Sequence, residues 1–257
     1  MRRSACVFAA LAALALAAPP PGQLFNLSSF QLQLPVSNSG GGVEIIQPSA
    51  LATYTSEFFY TDANNGNAMT FWAPENGAHT SGSSYPRSEL RQIPNWYFKG
   101  HSEMNVTMSV AKLPTGGAIT VGQVHADGLS GHCSIIIELE YQTGDLNAHL
   151  RDSACKGVTK KVGTGYKLGD TFRYTLRVDG TSVSVVTDTG SMAPYAYSWP
   201  TIGGIATDKV PIYFKVRFFW RRRSVRESRP GHRANIQVPP PHIAGRRLHS
   251  NGVVVVC

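Results

Sequence analysis

Three short stretches of this sequence hold residue types able to bind an anion and move a proton. In Arg87-Ser88-Glu89-Leu90-Arg91, an extended backbone sends successive side chains to opposite faces. Arg87, Glu89 and Arg91 then share one face while Leu90 points into a core. Alone, three charges in a row read as a solvated ion-pair ladder of little energetic worth. They stand out because only 16% of the chain is charged. In Gly122-Gln123-Val124-His125-Ala126-Asp127, Gln123 and His125 project together, an amide donor beside an imidazole that titrates near neutrality. In Ile212-Tyr213-Phe214-Lys215-Val216, Tyr213 and Lys215 share a face, which alone is an aromatic strand with an exposed lysine. Glu138 and Glu140 also share a strand face. A glycoside hydrolase needs two carboxylates across a cleft, and with no further acid nearby these two read as surface charges.

Each of these residues needs a strand to hold it, and strands are what the remainder supplies. Period-two or β-rich runs recur at 30–35, 58–60, 69–73, 88–92, 101–110, 119–125, 134–141, 146–151, 171–178, 182–188 and 211–216. Turn clusters separate them, such as Asn64-Asn65-Gly66 and the hairpin signal Val178-Asp179-Gly180-Thr181. Many short strands and no long helix-period segment predict an all-β sandwich or jelly roll.

The net charge of +8 is carried by the C-terminal segment: residues 217–257 hold nine Arg and one acid, Glu227, while 1–216 balance. The body is therefore not a basic, nucleic-acid-binding protein. The Arg-rich tail reads as foreign to the domain, as translated intron or out-of-frame sequence would be. At the other end, Arg2 and Arg3, an apolar run from Ala5 to about Leu16 and the small-residue site Ala15-Leu16-Ala17 predict a signal peptide over 1–17 and export. No segment reaches eighteen apolar residues, so no membrane span is expected. Cys133 and Cys155 are the cysteines of the body, and in an oxidising compartment they should pair. No His or second Cys stands at ligand spacing beside either, so a metal site is not expected. The triplets Asn26-Leu27-Ser28 and Asn105-Val106-Thr107 are glycosylation sequons at Asn26 and Asn105.

RSELR, QVH and YFK, in that order and at these separations, resemble the three signature motifs of the polysaccharide lyase family 7 alginate lyases. The flanks agree: NLSSFQLQLPV is similar to the family's opening strand, and FFYTDANNGNAMTFWAPENGAHTSGSSYPRSELR to the approach to its first motif. The resemblance covers about 25–216. It implies a jelly-roll β-sandwich of the concanavalin A-like lectin/glucanase type, spanning 18–216 here. Its concave face would bind alginate, an anionic polysaccharide, and cut it by β-elimination without metal or other cofactor, as a secreted monomer. Carried over by residue, Arg87 and Gln123 neutralise the substrate carboxylate, and His125 assists and serves as base. Glu89, Arg91, Tyr213 and Lys215 line the cleft, which Arg87, Arg91 and Lys215 should make locally positive, so that salt weakens binding.

The third motif departs from the family's YFKxGxYxQ. Arg217 replaces the Gly, Phe219 the Tyr and Arg221 the Gln. The family uses that Tyr as acid and base, and a phenyl ring carries no proton. The expected consequences are an impaired lyase and a sheet whose last strand breaks off after Val216. The alternative is a non-catalytic carbohydrate-binding protein on the same fold.

Overall fold

Alternation decides the architecture. Along Thr171–Asp179, the even-numbered Phe172, Tyr174, Leu176 and Val178 are buried while Thr171, Arg173 and Asp179 are exposed. A pleated strand produces that pattern when one face meets a core and the other meets water. The computed structural model describes residues 18–83, 85–129, 131–151, 156–196, 201–220 and 232–233, without side chains for 131–132, 217–220 and 232–233. The expected signal segment 1–17, Cys155, and the tail at 221–231 and 234–257 lie outside the described residues.

In chain order the strands are β1 Phe30–Ser37, β2 Val43–Ile46, β3 Phe59–Asp62, β4 Ala68–Ala73, β5 Arg87–Gln92, β6 Trp96–Tyr97, β7 His101–Ser109, β8 Ala118–Ala126, β9 Ile135–Gln142, β10 Asp145–Arg151, β11 Gly157–Gly163, β12 Thr171–Asp179, β13 Ser182–Thr187, β14 Ser191–Ala196, β15 Thr201–Ile202, β16 Ile205–Ala206, β17 Pro211–Trp220 and β18 His232–Arg233. A large sheet runs β11-β10-β9-β8-β17-β5-β1-β2, with β6 also pairing β17, and a second runs β14-β13-β12-β7. All these pairings are antiparallel. The two sheets form the β-sandwich. Leu32, Leu90, Val124, Leu139, Leu150 and Val216 line the core from the large sheet, and Met104, Phe172, Leu176 and Val185 from the small one. Full burial of such side chains stabilises by ~1.5–3 kcal/mol each.

The sheets touch behind the QVH segment. Tyr174 Oη on β12 donates to Val121 O on β8 at 2.7 Å. A Cβ at Gly122 would lie 2.6 Å from that hydroxyl, so only glycine admits the contact. The strand beginning at Pro211 does not end at Val216. Its ladder continues to Phe219, opposite Arg87 on β5 and Thr120 on β8, and to Trp220. The run Phe218-Phe219-Trp220 has the aromatic character that pleated surfaces favour, and the charge change at Arg217 does not interrupt the pairing with β5, whereas the register against β8 shifts between Val216 and Phe219. Among the described residues, no helix is long and apolar enough to cross a membrane.

Candidate active site

The three motifs come together because β17 lies between β5 and β8. Register then places Lys215 opposite Arg91 on one side and opposite Gln123 on the other, with Tyr213 opposite His125. The same face continues outward through Gln31 opposite Arg91, Glu138 opposite Gln123, His149 opposite Glu138 and Thr159 opposite His149. A polar row thus crosses seven strands. At the usual interstrand spacing it is about 29 Å long.

Charge in this row is compensated within the protein. Glu89, 1% exposed, accepts an ion pair from Lys215 Nζ at 2.8 Å and lies 4.0 Å from Arg87 Nη1. Arg91 Nη2 reaches Asn95 Oδ1 at 2.8 Å and Asp127 Oδ2 at 3.3 Å, while Asn95 Nδ2 donates to that same Asp127 oxygen at 2.7 Å. The three cations of the face therefore share it with Glu89, Asp127 and Glu138. The expected locally positive cleft is corrected on this point: register brings carboxylates among the cations.

Tyr213 lies beneath these cations, with the Arg91 guanidinium carbon 3.8 Å and Lys215 Nζ 5.5 Å from its ring centroid. Burial pushes its phenol above the ordinary value of 10.0; Arg91 opposes this, and Glu89 and Asp127 add to it. The phenol accordingly keeps its proton at neutral pH. Its oxygen stands 3.1 Å from His125 Nδ1, which is also 2.9 Å from Ala126 O. A backbone carbonyl only accepts, so Nδ1 carries the hydrogen. In the neutral ring the other nitrogen, Nε2, then holds the lone pair, as a proton acceptor requires.

Gln123 is fully buried, with Nε2 3.3 Å from Glu138 Oε2. The other Glu138 oxygen accepts from Thr120 Oγ1 at 2.5 Å. Glu138 and Glu140 are not surface charges, since each is 3% exposed and Glu140 pairs with His149 Nε2 at 3.2 Å. Both side chains are covered, and the partners supplied by β8 and β10 make that burial tolerable. Asp127, Asn95 and Glu138 are site residues that pattern reasoning passed over. Asp127 had a signal, because it follows Gln123 and His125 at the same two-residue step; Asn95 had none.

All seven motif residues, Arg87, Glu89, Arg91, Gln123, His125, Tyr213 and Lys215, fall on this one face. Asn26 is exposed ahead of β1, and Asn105 is exposed on β7 in the other sheet. Cys133 lies in the turn between β8 and β9. Among the described residues no group of three or more His, Cys, Asp or Glu is placed to hold a metal ion.

The sequence model of the alginate lyase family, described as Alginate lyase 2, matches residues 25–221. Among solved structures, the chain is similar to family 7 alginate lyase A1-II′, a tyrosine-to-phenylalanine variant in complex with product (GGG). The identity is 30% and the TM-score 0.73, covering 85% of this chain and 96% of that one. A double variant of the same enzyme, in complex with substrate (GGMG), matches at 30% identity and TM-score 0.72, over 85% and 94% of the two chains. An alginate lyase from Pseudomonas aeruginosa shares the fold at 24% identity and TM-score 0.69, over 81% and 95%. An alginate lyase from Klebsiella pneumoniae is 29% identical over 147 residues, which are 43% of this chain and 48% of that protein. That match spans about half the relative's length.

Proposed function

Because this chain belongs to the alginate lyase family, we propose that it takes alginate as substrate and cleaves it by β-elimination. In that reaction a base removes the proton alpha to the uronate carboxylate. The electrons of that C–H bond form the C=C bond, the neighbouring C–O bond breaks, and the leaving oxygen takes up a proton. Arg87 and an N–H of Gln123 bind the carboxylate, on which charge builds as the proton leaves, and donors preorganised there typically lower the barrier by ~3 kcal/mol each. His125 accepts the proton at Nε2. Glu89, Arg91, Tyr213 and Lys215 hold these groups in place and line the cleft, and the polar row gives the polymer a track several sugars long. The observation that carries the reading is the 2.9 Å approach of His125 Nδ1 to Ala126 O, which turns Nε2 away from the backbone, on the face that also carries Gln123 and Arg91.

Phe219 offers no hydroxyl to the leaving oxygen, so water supplies that proton and the rate is lower, typically by ~10²–10⁴-fold. The same residue supports the second reading, a protein that binds the polymer without cutting it. Incubation with alginate separates the two. Rising ultraviolet absorbance from the unsaturated product, abolished by His125→Ala, supports the lyase. Binding without absorbance supports the second reading, and neither would defeat both.

The protein is exported, begins near Ala18 when mature and works as a monomer without metal. Cys133 is disulfide-bonded, and Cys155 is its partner in this reading. Glycans at Asn26 and Asn105 belong to the same route, and both asparagines are exposed. N-terminal sequencing and mass spectrometry of a non-reduced digest of secreted protein test these points. Retained Met1 or two free thiols would refute them.

A further inference from the structure

We propose that Glu138 is a positioning residue, which sets the Gln123 side-chain amide so that it offers the bound sugar one N–H and its carbonyl oxygen together. The inference rests on the reading of this face as a uronate site. In its ionised form the Glu138 carboxylate only accepts hydrogen bonds. With Glu138 Oε2 at 3.3 Å, the Gln123 amide must turn Nε2 toward it, because the flipped amide would set oxygen against oxygen. Thr120 Oγ1, donating at 2.5 Å, holds the other carboxylate oxygen and stops Glu138 from swinging away.

The consequence falls on the opposite end of the amide. Gln123 Oε1 is buried and has no hydrogen-bond partner in the protein, a state that native interiors avoid unless the group has a use. An ionised uronate carboxylate cannot satisfy it, for both groups accept. A ring hydroxyl can. Gln123 thus reads two groups on one sugar, the carboxylate through its second N–H and a hydroxyl through Oε1. The register of β8 against β9 shifts on both sides of this position, between Thr120 and Gly122 and between Val124 and His125. Such irregularities are a recurrent means of re-aiming a side chain beside a site.

The test is calorimetric titration of uronate oligomers into the unmodified chain, Glu138→Gln, Gln123→Ala and the double variant, each checked by thermal melting. It is paired with ¹⁵N spectra of the ligand-free proteins. A carboxamide at 138 can present either end to Gln123, so Glu138→Gln should weaken binding about tenfold. It should have less than a twofold effect in the Gln123→Ala background. The side-chain NH₂ resonances of Gln123, identified by their loss in Gln123→Ala, should move in Glu138→Gln without ligand. Equal weakening in both backgrounds, no weakening, or unmoved resonances would overturn the proposal. Moved resonances with no oligomer binding by the unmodified chain would instead overturn the uronate reading, and the positioning role with it. Should Glu138→Gln not fold, Glu138→Asp gives the same comparison, since it keeps the charge but draws it back by one methylene.

Discussion

Replacing Lys215 by methionine keeps an unbranched chain of similar length and removes a charge in direct contact with Glu89. Lys215 Nζ lies 2.8 Å from Glu89 Oε1, Arg87 Nη1 lies 4.0 Å from Oε2, and the side chains of Lys215 and Glu89 are 8% and 1% exposed. At an effective dielectric constant of about 20 these separations correspond to gross attractions of about 6 and about 4 kcal/mol, and desolvation of all three groups offsets much of both. Without Lys215 that desolvation remains for Glu89, with the more distant Arg87 against it. Breaking one side of a buried pair typically costs ~3–5 kcal/mol. Arg87 keeps the expectation at the lower end, about 3 kcal/mol, or a Tm lower by roughly 6–12 °C in a domain of this size. Urea unfolding at neutral pH measures it, together with Glu89→Gln and the double variant. The double variant should recover at least ~1.5 kcal/mol relative to the sum of the singles, a coupling expected of groups in contact. Two single variants within ~0.5 kcal/mol of the unmodified protein and strictly additive would refute the reasoning.

Gly122→Ala places a Cβ 2.6 Å from Tyr174 Oη; scanning calorimetry should show a loss of ~2 kcal/mol, partly recovered with Tyr174→Phe, and an unchanged Tm would deny the close approach. On the acid side, burial works against Glu103, but hydrogen bonds from Asn105, Arg177 and His101 hold its carboxyl below 4.5. Lys161 and Thr164 likewise hold Asp145 below 3.8. Both contributions are full above those ordinary values and are lost as pH falls through the lower folded ones, so Glu103→Gln with Asp145→Asn should flatten the acid limb of Tm against pH; an unchanged slope counts against the assignment. Because residue 219 stands in register with Arg87, Phe219→Tyr should raise the rate of product absorbance at least ~10-fold, and no gain would mean that this position does not face the leaving oxygen.

Much of this arrangement is legible in the sequence. Strands such as β10 and β12 announce themselves because their side chains alternate between core and water, and the same alternation put Arg87, Glu89 and Arg91 on one face. Alternation says which face a side chain takes, not whether that face is covered. Glu138 and Glu140 have the spacing of surface charges, yet lie buried under neighbours from adjacent strands. The pairing of Lys215 with Glu89, and of Arg91 with Asp127, depends on register between segments far apart in sequence, which no local pattern encodes. Only the resemblance to a family suggested that β5, β8 and β17 belong together.

The place of β17 bears on how the protein comes to be made. It is the latest in the chain of the large sheet's strands, yet it sits between β8 and β5. While a ribosome adds residues at ~5–20 per second, the β5 and β8 halves of that sheet must wait with two open edges facing each other. Ladders that join such distant segments close slowly. Arg87 therefore gains its neighbour strand, and His125 its tyrosine, in one late event. The face that gathers the three motifs is thus completed in one step, when β17 pairs with β5 and β8 together.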